Sequence, residues 1–154
     1  MSITLSKSHG EVYQLRKTPP KHEQTFKTPL KDLPRFLTTI LSPIPATEAS
    51  VTIDQIIFEP KSLLELLMTR GIHTDDLMDA NITGTGHADV LALLEASLSD
   101  WADFLFVPSP NRFALYADHD EWTTALATNE VDLACMSAAM SSGGFEMITN
   151  YTRF

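Results

Sequence analysis

The sequence has almost no cysteine. Cys135 stands alone among 154 residues, so an intramolecular disulfide cannot form and a stapled secreted scaffold is excluded. A reducing cytoplasm is the expected compartment. Long apolar runs are also missing. No window approaches the roughly 18 uninterrupted apolar residues of a spanning helix, and the stretch Met1–Lys7 has no apolar core of the ~7–15 residues that a signal peptide needs. Neither membrane insertion nor export is expected. The 6 glycines are too few for a repetitive or collagen-like chain, and neither an internal repeat nor a low-complexity tract is present.

Basic residues run short in one part of the chain only. Residues 1–62 balance eight Lys and Arg against six Asp and Glu, whereas residues 63–154 carry only Arg70, Arg112 and Arg153 against fourteen acids. The part after residue 62 thus carries −11 and the part before it +2, which together give the net charge of −9. A field of that sign repels nucleic-acid phosphates and anionic lipid, both of which require a basic footprint. Direct nucleic-acid binding is not expected. The same field steers a basic protein toward the chain and raises its association rate.

What is present is an ordinary folding alphabet. Hydrophobic residues make up 44% and charged residues 20%, and 154 residues suffice for one core without metal or disulfide support. Residues 1–29 hold Pro19, Pro20 and Pro29 among Lys, Thr, His and Gln. Proline fixes φ, lacks a donor and restricts the residue before it, so this stretch reads as an extended Pro-rich arm. Within it, Glu11–Leu15 alternates like a short edge strand. Residues 30–154 read as a single domain.

In that domain Leu30, Leu33, Leu37, Ile40 and Leu41 fall on one helical face. Ser50 to Phe58 reads as a strand. Pro60, the leucines that follow, Arg70 and Gly71 mark a helix with both end signals, and Thr74–Met78 reads as a short capped one. Ile82–Gly86 looks like a loop. His87–Trp101 is amphipathic and predicts a helix. Asp103–Val107, Arg112–Tyr116 and Glu121–Ala127 predict a three-strand meander, followed by an Asn129-capped helix over 130–141 and a last strand over Phe145–Tyr151. The expected fold class is α+β, with a mostly antiparallel sheet and a C-terminal β-meander against three to four helices.

The densest ionisable cluster is Asp118-His119-Asp120-Glu121. His119 and Asp118 are of metal-ligand type, but side chains of successive turn residues diverge, and Asp is a favoured turn former in its own right. No metal or other cofactor is expected. Thr83-Gly84-Thr85-Gly86-His87 lacks the lysine of a phosphate loop, and Cys135 has no neighbouring positive charge to activate its thiol, so it reads as an apolar filler in a helix. No nucleophile or acid–base pairing names a reaction, and the chain is not expected to be an enzyme. Tyr116 and Trp122 flank the acidic turn, and an aromatic anchor ringed by carboxylates suits a basic protein groove. The expectation is an acidic protein-binding module. Its nearest class is a small bacterial immunity or antitoxin protein neutralising a basic toxin such as a nuclease, with Asp118, Asp120, Glu121, Trp122 and Tyr116 as partner contacts. The alternatives are a small metal-dependent hydrolase using His119 and Asp120, and a non-catalytic subunit of a larger assembly. Oligomeric state cannot be read from the sequence.

Overall fold

The computed structural model describes residues 2–154. The order of elements is β1 (Ser2–Lys7), α1 (Glu11–Lys17), β2 (His22–Lys27), a 3-10 turn (Leu30–Asp32), α2 (Leu33–Leu41), β3 (Glu48–Gln55), α3 (Lys61–Thr69), β4 (Ala80–Thr85), α4 (His87–Ser99), β5 (Asp103–Ser109), β6 (Ala114–Ala117), β7 (Trp122–Ala127), α5 (Glu130–Ser142) and β8 (Met147–Ile148). The strands form one antiparallel sheet in the order β1-β4-β3-β5-β6-β7-β2-β8. The α+β class and the C-terminal meander of β5, β6 and β7 are as expected.

Alternation along the strands decides which side is packed. Ala49, Val51 and Ile53 of β3, Phe104 and Phe106 of β5, and Leu115 and Ala125 of the meander point to one face and join the main core with residues of α2, α3, α4 and α5. Phe104 and Phe106 are fully buried, each contributing roughly 1.5–3 kcal/mol of transfer free energy. The other face carries Ser50, Thr52, Asn81 and Thr83 toward one side of the sheet. Its centre holds a smaller apolar cluster of Leu105, Tyr116 and Leu126, over which α1 lays Val12. The single helix α1 leaves part of this face open, and a groove of about 740 Å³ runs beside it.

The Pro-rich segment is not a separate arm. Met1 lies outside the described residues; the residues after it supply two strands and a helix. β1 pairs with β4 over its whole length, and β2 runs between β7 and β8. Pro19 and Pro20 fall in the α1–β2 connection and Pro29 just after β2, where no ladder donor is needed. Glu11–Leu15 is helical, because Val12 and Leu15 are three residues apart and both reach the same small cluster. Ile82-Thr83-Gly84-Thr85 is a strand paired on both sides, with β1 and β3. Thr74–Met78 is a turn, and the final strand contracts to Met147–Ile148.

One irregularity lies beside the site. The β3–β5 register shifts between Ile53 and Gln55, and the extra residue is Asp54. The alternation that puts Ser50 and Thr52 on the open face puts Asp54 there too, and its carboxylate meets Tyr116.

Candidate functional site

The acidic turn joins β6 to β7, and two carboxylates beneath it hold it in shape. Asp118 is largely covered. Its Oδ1 accepts the amides of Asp120 at 2.9 Å and Trp122 at 3.2 Å, and its Oδ2 accepts Nη1 of Arg153 at 2.7 Å. Asp103, on the neighbouring strand β5, accepts both the amide and the ring Nδ1–H of His119 at 2.8 Å. The hydrogen bond to Asp103 comes first in raising the His119 pKa above its ordinary value, with burial opposing it and the charges of Asp103, Asp120 and Asp118 adding to it. Glu121 closes the turn with a φ of 65°, and its carbonyl accepts the amide of Thr28 at 2.7 Å.

The five residues expected to contact a partner are thus divided. Asp120 projects outward with its side chain 76% exposed, and Glu121 is partly exposed. Trp122 is half-buried with its ring edge-on to Tyr151, centroids 4.5 Å apart. Asp118 is committed to the turn and to Arg153. Tyr116 is buried: its hydroxyl donates to Asp54 and lies 3.5 Å from Nη2 of Arg16. Arg16 in turn grips Asp54 through both fork nitrogens, at 2.6 and 3.3 Å. Burial, and then the hydrogen bond to Asp54, push the Tyr116 phenol far above its ordinary value. It stays a neutral donor. Tyr116 falls on the register that faces away from the main core, but that second face is covered as well, by α1.

The exposed aromatics at this end of the sheet are different ones. The β3–α3 connection turns Ile57 and Phe58 outward, 41% and 56% exposed. Trp101, just before β5, sets its ring edge-on to Phe58 at 6.2 Å. Trp101 has a φ of 58°, a left-handed conformation that bulky residues rarely adopt; the backbone here is strained. Beneath the pair, the Asp100 carboxylate accepts the amides of Ser62 at 2.9 Å and Leu63 at 2.7 Å, so the start of α3 is capped from the end of α4. In the strand order β3-β5-β6-β7, the ends bearing Phe58, Trp101 and the Asp118–Glu121 turn lie side by side. Sequence spacing gave no sign of this, because Phe58 and Trp101 are brought together only by the pairing of β3 with β5.

The other candidates separate. Among the described residues no three His, Cys, Asp or Glu side chains group as metal ligands, and His119 commits its Nδ1 to Asp103. Cys135 is exposed, not packed, because the buried positions of α5 are Asp132, Met136 and Met140, a four-residue repeat that passes it by. Gly84 belongs to β4, and Gly86, with a φ of 90° that an L side chain rarely adopts, precedes α4. Two residues into that helix, the buried Asp89 carboxylate binds Nη2 of Arg70 at 2.6 Å, so the arginine beside this loop is already paired. Among the described residues no helix is long and apolar enough to cross a membrane. No family model, no curated protein and no solved structure matches this chain.

Proposed function

We propose that this chain is an acidic protein-binding module that neutralises a basic partner by direct contact, in the manner of a small bacterial immunity or antitoxin protein facing a toxin such as a nuclease. One observation carries the reading: the exposed carboxylate of Asp120 and the partly exposed Glu121 sit on a turn held from below, at the sheet end that also bears the exposed Phe58 and the partly exposed Trp101. Charges held in place raise encounter rates, and exposed aromatics beside them supply the area that slows dissociation. On this reading the carboxylates stand in for the phosphates that a nuclease groove receives. Cytoplasmic action is part of the proposal, in keeping with a single, exposed thiol.

The test is a comparative capture. Tagged chain and its Asp120→Lys/Glu121→Lys variant are incubated with lysate of the source organism at low salt and eluted in a salt gradient. A single basic protein retained 1:1 by the first and lost from the second is the expected result. Equal retention by both chains would defeat the reading.

A further inference from the structure

Residues 151–154 belong to no helix or strand, yet the side chain of Arg153 is only 10% exposed. Its Nη1 meets Asp118 Oδ2 at 2.7 Å, its Nε donates to Thr124 Oγ1 at 2.8 Å, and its Nη2 lies 3.4 Å from the carbonyl of Trp122. The guanidinium carbon is 4.9 Å from the centre of the Tyr116 ring and 5.7 Å from that of Tyr151. A carboxylate, a hydroxyl, a carbonyl and aromatic faces around a planar fork select guanidinium over ammonium, since a lysine would meet the carboxylate only as a point charge.

Asp118, Thr124 and Tyr116 have anchors outside the segment that fills the pocket, a segment to which the Tyr151 face itself belongs. Asp118 is fixed by the amides of Asp120 and Trp122. Thr124 is hydrogen-bonded to Thr25 across the β2–β7 ladder at 2.7 Å, and Tyr116 is fixed by Asp54 and Arg16. The segment itself is held by side chains: Arg153 in the pocket, the amides of Arg153 and Phe154 on the Glu23 carboxylate at 2.5 and 3.3 Å, Tyr151 against Trp122, and Phe154 edge-on to Tyr116 at 5.6 Å.

We infer that this is an arginine-binding pocket which the chain closes in cis with residues 150–154, and that an arginine of the basic partner displaces Arg153 from it. The inference rests on the protein-binding reading above and gives that partner a chemistry: an extended stretch with an arginine followed by an aromatic residue, to replace Arg153 and Phe154. A cis occupant lowers the apparent affinity of any competitor in proportion to the fraction of time the pocket stands open. The partner must therefore compete with the tail as well as find the site.

The experiment uses the full chain carrying Arg153→Ala, which empties the pocket and leaves its walls. The probe is the pentapeptide Asn-Tyr-Thr-Arg-Phe, the sequence of residues 150–154, with its lysine analogue as control. Tryptophan fluorescence, to which Trp122 beside the pocket contributes, and thermal shift are read together. The expected result is saturable binding to Arg153→Ala at least tenfold tighter than to the wild type, at least tenfold weakening with the lysine peptide, and loss of binding when Asp118→Asn is added. If Arg153→Ala fails to fold by circular dichroism, Arg153→Lys, which keeps a cation but loses the fork, takes its place with the same expectations. Equal binding to variant and wild type, no binding to a folded variant, or indifference to lysine would each overturn the pocket. Capture of a partner through Asp120 and Glu121 without peptide binding would overturn the pocket alone; peptide binding with no partner sensitive to those charges would overturn the protein-binding reading alone.

Discussion

The carboxylate of Asp103 accepts two hydrogen bonds from one residue, the amide and the ring Nδ1–H of His119, both at 2.8 Å. The ring bond favours imidazolium, so the pKa of His119 is higher in the folded chain than in the unfolded one. A raised folded pKa contributes stability that is whole below the unfolded value, 6.5, and is lost as pH climbs through the folded value. The midpoint of urea unfolding should therefore fall as pH rises from below 6.5 into the mildly alkaline range. His119→Gln should flatten that dependence, and an unchanged slope in the variant would remove His119 as its source.

Asp100 makes a second double contact, across elements instead of within a turn. Only 7% exposed, it accepts the amides of Ser62 and Leu63 at the start of α3, where Pro60 at the cap makes no side-chain hydrogen bond. Asp100→Ala leaves those donors without their charged acceptor. Hydrogen bonds to charged groups contribute about 1.5–3 kcal/mol, and the variant should lose about that much stability, read as a lower urea midpoint at an unchanged m-value. Asp100→Asn, which keeps one acceptor oxygen, should lose less.

Arg70 and Asp89 form a lopsided ion pair. The aspartate side chain is 4% exposed and the arginine 37%; Arg70 bonds Asp89 Oδ1, and Asp89 Oδ2 has no hydrogen-bond partner among the described residues. Removing the arginine strands a buried charge, whereas removing both members strands nothing. Arg70→Ala should be destabilising by about 1–3 kcal/mol once the partly exposed arginine is discounted for solvent screening. Arg70→Ala/Asp89→Ala should recover part of that loss. A double variant worse than Arg70→Ala would show that Asp89 stabilises α4 through something other than its pairing.

These three contacts differ in how far the sequence announces them. Elements with local signals are readable: α3 through Pro60 and Gly71, α5 through Asn129, whose side chain accepts the amide of Val131 at 2.8 Å, and the meander through its alternation. The strand β4 is not, because Gly84 and Thr85 resemble a loop until strands on both sides pair with them. Five residues at Glu11–Leu15 satisfy both a two-residue and a three-residue period, and only the apolar patch of Leu105 and Leu126 beneath them decides for a helix. The acidic turn is visible as a run of charge, but which of its members face outward depends on Arg153 and Asp103, 35 and 16 residues away. Phe58 and Trp101 have no local signature at all.

On the proposed protein-binding reading the candidate surface divides its work between charge and area, and the two parts should separate kinetically. Asp120 and Glu121 act on encounter. Reversing both to lysine should slow association with the captured partner by about an order of magnitude, the more so at low salt, because exposed charges mainly govern on-rates. The melting temperature should barely move, since neither residue supports the core. Phe58 and Trp101 act after contact. Replacing each by serine should leave association nearly unchanged and speed dissociation, with about 2 kcal/mol for an aromatic that anchors an interface, or roughly thirtyfold in off-rate. Surface plasmon resonance at two ionic strengths distinguishes these patterns. An aromatic variant that dissociates like the wild type would exclude Phe58 and Trp101 from the contact and confine the interface to the turn and the arginine pocket beside it.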